Sequence, residues 1–289
     1  MASLKEIKGR ISSVQSTQKI TSAMKMVASA KLHRAQAAIN NMLPYQRKLT
    51  EILSAFLGGE TQVHSPYTEE REVKRVAIVA FSSNSSLCGA FNSNVGNRLL
   101  SVTDKYSNLP KENVLVYTIG KKVTELARKK GLNVQGNYET LAEKPSFAAS
   151  NEIAYSLMQQ FENKEIDKVE IVYHHLKSTS TQVLQTETYL PVKLEQISAA
   201  ANNNSVPDYI VEPSASELLE TLVPQTIALK LFTALLDSNA SEHSARMLAM
   251  QVATDNANDL LQELTLMYNK SRQQAITNEL LDIIGGSMK

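Results

Sequence analysis

The chain has 289 residues, 43% hydrophobic and 20% charged, with a net charge of +1 and one cysteine. That composition fits a folded chain of one large or two ordinary domains, makes no general case for nucleic acid, and excludes an internal disulfide framework or a cysteine-rich zinc site. No run approaches eighteen consecutive apolar residues and MASLKEIKGRI lacks the apolar core of a signal peptide, so the expectation is a reducing cytoplasm with at most peripheral membrane attachment.

Ser3-Leu4-Lys5-Glu6 is a capping box, in which the Ser3 hydroxyl accepts from the Glu6 amide while the carboxylate reaches back. It predicts a helix to Leu57, stopped by Gly58-Gly59 and bent near Pro44. Its apolar stripe opens as Leu4, Ile7, Ile11, Val14 and resumes as Ile20, Met24, Val27; the step of six between Val14 and Ile20 predicts a slip in the seam.

Between about residues 70 and 197 the periodicity changes. Arg75–Phe81, Val114–Ile119, Leu132–Tyr138, Val169–His174 and Gln182–Leu190 read as strands, the last two as an antiparallel pair. Asn92–Tyr106, Lys121–Lys130 and Ala148–Phe161 read as the intervening helices. Strand alternating with helix implies a mainly parallel, Rossmann-like α/β sheet. Ser198–Pro207 reads as a polar linker.

Ser214-Ala215-Ser216-Glu217 repeats the capping box, Pro224 marks a bend or a second start, and from Gln225 to Ile284 there is neither Gly nor Pro until Gly285-Gly286 close the element. A helix of about sixty residues spans roughly 90 Å and needs a companion helix or an enclosing partner. Apolar residues recur as Ile227, Leu231, Leu235, then Leu260, Leu264, Met267, then Ile276, Leu280, Ile283, with Ala245, Ala249, Ala253 and Ala257 between them, which predicts an irregular coiled coil. Residues 1–57 hold nine basic and two acidic side chains, about +7, whereas 208–289 hold eleven acidic and five basic, about −6. Opposite signs favour pairing the segments with each other, antiparallel, around the inserted domain. The expected domains are therefore 1–57, 70–197 and 214–289.

Candidate chemistry is sparse. Ser82-Ser-Asn-Ser-Ser-Leu-Cys-Gly89 sits where an α/β sheet would bind a nucleotide, but the chain has neither GxGxxG nor GxxxxGK[ST]. Cys88 reads as a small buried filler more readily than as a nucleophile. His174 and His175 are adjacent on a strand and point to opposite faces, and Glu242-His243 lacks a second His at helical spacing. Asp255, Asp259 and Glu263 share a helix face that reads as solvated. No catalytic, cofactor or metal residue is expected, and the chain reads as mechanical or connective.

Five ordered motifs carry a resemblance: Ile20-Thr-Ser-Ala-Met-Lys-Met-Val-Ala28, Leu87-Cys-Gly-Ala-Phe-Asn92, Ser241-Glu-His-Ser-Ala-Arg-Met-Leu-Ala-Met250, Ala253-Thr-Asp-Asn-Ala257 and Leu266-Met-Tyr-Asn-Lys-Ser-Arg-Gln-Gln-Ala-Ile-Thr-Asn-Glu-Leu280. Over nearly the whole chain it resembles the gamma subunit of F-type ATP synthases of bacterial type. The resemblance implies a non-catalytic rotor, one copy inside three alpha and three beta subunits, with the α/β domain near epsilon and the c-ring at the cytoplasmic face of the inner membrane. It places Met24, Lys25, Arg246, Arg272, Gln273, Thr277 and Glu279 at rotor–stator contacts, and Ile276, Leu280, Ile283 and Ile284 in an apolar upper bearing. The chain departs from the family at Asn84-Ser85-Ser86, where an acidic-basic-Gly turn is usual, and at Lys25, a position that is acidic in some relatives. Two other readings stand beside it: a coiled-coil scaffold that binds nucleic acid through its basic first helix, and an NAD-linked enzyme, which the missing glycine fingerprint disfavours.

Overall fold

The computed structural model describes residues 3–57, 65–192, 212 and 214–287. They form two compact units, Met1–Ser29 with Arg246–Lys289, and Ala30–Ala245.

The larger unit holds a five-stranded sheet in the order β3-β2-β1-β4-β5. The strands are β1 (Val76–Phe81), β2 (Val114–Ile119), β3 (Asn133–Gln135), β4 (Lys168–Ser178) and β5 (Thr181–Leu190). β1 pairs in parallel with both β2 and β4, β2 in parallel with β3, and β5 runs antiparallel to β4. Every residue of the central β1 is buried, as expected of a strand covered on both faces. The sheet is therefore mixed, and the strand alternation expected from sequence is present, with β4 running on to Ser178, four residues past the expected end at His174. The third strand is shorter than the stretch Leu132–Tyr138 because Gly131 and Gly136, both at positive φ, turn the chain at either end.

Helices α2 (Phe91–Lys105) and α3 (Lys121–Lys129) cover one face, where Val95, Leu99, Val102, Val123 and Ala127 meet Val76, Ile78, Ala80 and Val116. They approach so closely that a Cβ on Gly96 would come within 2.3 Å of Leu126. The short α4 (Glu139–Glu143), which the sequence did not announce, and α5 (Phe147–Glu162) cover the other face. There Ile153, Leu157 and Phe161 share a core with Leu219, Val223, Ile227, Leu231 and Leu235 of the last helix and Leu53 of the first.

The first helix, α1, runs Leu4–Leu57 through Pro44, and the last, α6, runs Ala215–Ser287 through Pro224. Gly58-Gly59 and the linker Ser198–Pro207 lie outside the described residues, while Gly285 and Gly286 fall within the last turns of α6 instead of ending it. Ser3 Oγ accepts from Glu6 N at 3.2 Å, but the Glu6 carboxylate turns to Arg10 at 2.9 Å and does not reach back. In the second box Ser214 Oγ accepts from Glu217 N at 3.3 Å and donates to Glu217 Oε1 at 3.4 Å, so the carboxylate meets the hydroxyl.

In the smaller unit the seam is regular. Inward positions on α1 are Leu4, Ile7, Ile11, Val14, Gln18, Thr21, Lys25 and Ala28, in alternating steps of three and four. On α6 they are Met247, Met250, Thr254, Ala257, Leu261, Leu264, Tyr268, Ser271 and Ala275, spaced the same way. This is an uninterrupted seven-residue repeat and corrects the expected slip. Ile20 and Val27 are exposed, and the seam passes instead through Gln18 and Thr21, whose polarity hid it. On α6, likewise, Leu264 is buried as expected, but Leu260 and Met267 face out and Leu261 and Tyr268 take their places. Thr254 Oγ1 donates to Thr21 Oγ1 at 2.8 Å and Lys25 Nζ to Gln251 Oε1 at 2.8 Å. As α1 advances from 21 to 25 its partner retreats from 254 to 251, so the pair is antiparallel.

An eighteen-residue window within α6 reaches a mean hydropathy of 1.3, enough by length and composition for a membrane span, yet half of that window is buried inside the protein. A core helix meets the same test.

Candidate functional site

A sheet in this order would bind a ligand at the carboxyl ends of its parallel neighbours β1 and β4, beside the loop after β1. That loop is occupied by its own hydrogen bonds. Ser83 N meets Asn92 Oδ1 at 3.1 Å, Ser83 Oγ donates to Ser85 O at 2.6 Å, and Asn92 Nδ2 donates to Ser85 O at 3.2 Å and to buried Cys88 Sγ at 3.1 Å.

The loop also caps α3. Asn84 Oδ1 accepts from Lys121 N at 2.9 Å, Ser83 O from Lys122 N at 3.1 Å and Ser82 Oγ from Val123 N at 3.0 Å. The first amides of α3 are thereby satisfied within the chain. The adjoining cavity, lined by Ser82, Ser238, Asn239 and Glu242 among others, holds about 10 Å³, room for little more than one water. A nucleotide does not fit there. Asn84, which departs from the usual family turn, thus has a structural job: its Nδ2 also donates to Glu139 O at 2.8 Å and ties the loop to α4.

The two histidines separate as the strand's alternation requires. His174 is buried and stacks on Phe91 at 4.5 Å, and burial pushes its pKa down to about 4. His175 Nδ1 instead meets Asp237 Oδ2 of α6 at 2.8 Å; burial raises the Asp237 pKa, and the contact with His175 opposes that rise. Among the described residues no group of three or more His, Cys, Asp or Glu side chains is placed to hold a metal.

A larger groove, about 620 Å³, lies between β5, α6 and the end of α1. Lys230 Nζ pairs with Glu187 Oε2 at 3.1 Å on its wall, and Tyr173 donates to Glu187 Oε1 at 2.8 Å. The Tyr173 pKa is raised, first by burial and then by the Glu187 carboxylate, so the phenol stays a donor. None of these groups forms a nucleophile–base pair, and on the same wall Thr186 Oγ1 is buried without a hydrogen-bond partner.

The remaining candidates lie on the helix pair. Met24, Lys25 and Arg246 are half-buried. Arg272, Gln273, Thr277 and Glu279 are exposed, with Thr277 Oγ1 turned back onto Gln273 O at 2.9 Å. Ile276, Leu280, Ile283 and Ile284 are exposed too, Ile283 to 68%. With Thr21 opposite Thr254, Leu4 falls opposite Ser271, so these apolar side chains extend past the start of α1. The candidates form two groups. Lys25 lies beside Gln251, and the group beginning at Arg272 is twenty-one residues on, roughly 30 Å along the axis. The sequence reading missed Gln251, Thr21 and Thr254; the heptad spacing would have found the two threonines had polar residues been admitted to the seam.

An antiparallel helix pair and a mixed α/β sheet define the class: a coiled coil that carries an α/β module. Residues 3–288 match the family model described as ATP synthase. Over the full length of both chains the sequence is 59% identical to the ATP synthase gamma chain of Phocaeicola vulgatus and 60% identical to that of Bacteroides fragilis (strain ATCC 25285). The chain belongs to the ATP synthase gamma-chain family. Its fold is also that of a chain in the rotor of the Euglena gracilis mitochondrial ATP synthase, with TM-score 0.61 and 18% identity over 94% of this chain and 98% of that one. A chain of the Tetrahymena thermophila central stalk and c-ring gives TM-score 0.55 and 23% identity over 81% of this chain and 99% of that one. A gamma chain is a subunit of ATP synthase and not by itself the catalyst.

Proposed function

We propose that the chain is the rotor of the F1 part of a bacterial ATP synthase, present once per complex and peripheral to the inner membrane at its cytoplasmic face. Segments 1–57 and 214–289 serve as the shaft within three alpha and three beta subunits, and 70–197 as the foot that meets epsilon and the c-ring. Proton flow turns the shaft, and contacts that differ from one beta subunit to the next shift each catalytic site in turn. A ligand with equal affinity for two states shifts neither, so the shaft must present unlike sides. Met24, Lys25, Arg246, Arg272, Gln273, Thr277 and Glu279 make the polar and lever contacts; Ile276, Leu280, Ile283 and Ile284 turn in an apolar sleeve.

One observation carries this reading: a helix end on which the large apolar side chains Ile276, Leu280 and Ile283 are exposed. Such a surface calls for an enclosing partner. Replacing Met24 by Lys in the assembled complex adds a competing cation, and the expected result is a larger loss of ATP-driven proton pumping than of ATP hydrolysis. Equal losses of both, or a chain that does not co-purify in one copy per hexamer, would contradict it.

A further inference from the structure

Lys25 sits at a seam position, an unusual place for a long, strongly hydrated ammonium. Two neighbours account for it. Gln251 Oε1 accepts from Lys25 Nζ at 2.8 Å, and Gln251 Nε2 donates to both carboxylate oxygens of Asp255, at 2.8 Å each, one turn further along α6. A side-chain amide has one accepting and one donating end. Turned over, Gln251 would set its carbonyl against the Asp255 carboxylate and its NH2 against the ammonium, losing both contacts. Asp255 therefore fixes the amide, and the amide fixes the lysine. In the next layer Thr254 Oγ1 has one proton to give, with Thr21 Oγ1 at 2.8 Å and Met250 O at 2.7 Å as its acceptors.

We infer that Asp255 and Gln251 are positioning residues that aim the Lys25 ammonium outward from the seam toward a carboxylate on a neighbouring subunit. The inference rests on the rotor reading for the identity of that neighbour, and on the chain's own geometry for the rest. A lysine held by one of its three N–H donors has lost most of its rotamer freedom beforehand and presents the other two in a fixed direction. Ordering done in advance is not charged again at each encounter.

The first test reads the geometry in the full-length chain, as the rate at which an amine-acylating reagent modifies each lysine, followed by mass spectrometry. Lys19 and Lys31, both exposed on α1, are internal standards. The expected result is that Lys25 reacts more slowly than either, and that Gln251→Leu brings it up to their rate, roughly tenfold for the loss of one charge-assisted hydrogen bond. Gln251→Glu, which keeps an acceptor, leaves Lys25 protected, and Asp255→Asn gives an intermediate rate because the amide is then free to turn over. The second test reads pumping in the assembled complex, where Gln251→Leu should lower protons pumped per ATP hydrolysed and Gln251→Glu should restore the ratio. Lys25 reactivity that Gln251→Leu leaves unchanged, or a reactivity change with an unaltered pumping ratio, overturns the inference. Failure of the rotor reading has a different signature: a chain missing from the hexamer whatever the reactivity of Lys25.

Discussion

At the scale of single residues, the structure assigns work to side chains that would pass for loop filler. Gly120 is held at φ 106°, and a Cβ there would lie 2.1 Å from Ser82 O. Gly120→Ala should cost about 2–4 kcal/mol, read as a lowered denaturant midpoint. Ser82→Ala and Asn84→Ala each strip one cap from α3 and should each cost about 1 kcal/mol by the same measurement.

His174 gives a pH dependence. Its pKa is about 4 in the folded chain against an ordinary 6.5, so the unfolded chain binds the extra proton first. The stability this group contributes is complete above pH 6.5 and is lost as the pH falls toward 4, by about 3 kcal/mol in all. The raised pKa of Asp237 acts with the opposite sign, its share declining as pH rises. The clean measurement is therefore a difference: His174→Phe, which keeps a ring against Phe91, should flatten the fall in stability between pH 7 and 5 relative to the parent chain. A variant that falls as steeply as the parent would refute the assignment.

At the scale of elements, the seam decides which leucines matter. Leu264 is 7% exposed and Leu266 is 70% exposed, two positions apart on one helix. Leu264→Ala should cost about 2–4 kcal/mol of local stability and speed amide exchange in the facing turn of α1, whereas Leu266→Ala in the isolated chain should change stability by no more than about 0.5 kcal/mol. Composition cannot separate them. The strands were legible because β1, β2 and β4 are short apolar runs between turn residues, and the helix starts because Ser3 and Ser214 carry their caps. The seam was partly illegible because hydrophobicity is a poor guide where hydroxyls and amides pair with each other: Thr21 and Thr254 are each 8% exposed. α4 escaped notice for a different reason, since five residues are too few to show a helical period.

At the scale of the whole molecule, stability and function are unevenly shared. The sheet and its two covering layers hold the large apolar core, while the last turns of α6 expose Ile276, Leu280, Leu281, Ile283 and Ile284. Ending the chain after Ala275 should leave the thermal midpoint of the isolated protein nearly unchanged and reduce its self-association in light scattering, because those side chains add no core and present an apolar patch. In the assembled complex the same truncation tests the bearing directly, and unimpaired pumping there would remove it.

Taken alone, the sequence determined that two long capped helices of opposite charge flank an α/β sheet, because caps, glycines, apolar runs and net charge are local properties of the chain. It also determined the family, through motifs spread from Ile20 to Leu280. Only the tertiary structure decided that the seam is unbroken, that Lys25 donates to Gln251 and Gln251 to Asp255, and that the loop after β1 caps α3. Each of those depends on which polar groups find partners across distant stretches of chain, and a buried hydroxyl or amide is tolerable only when that partner is in place.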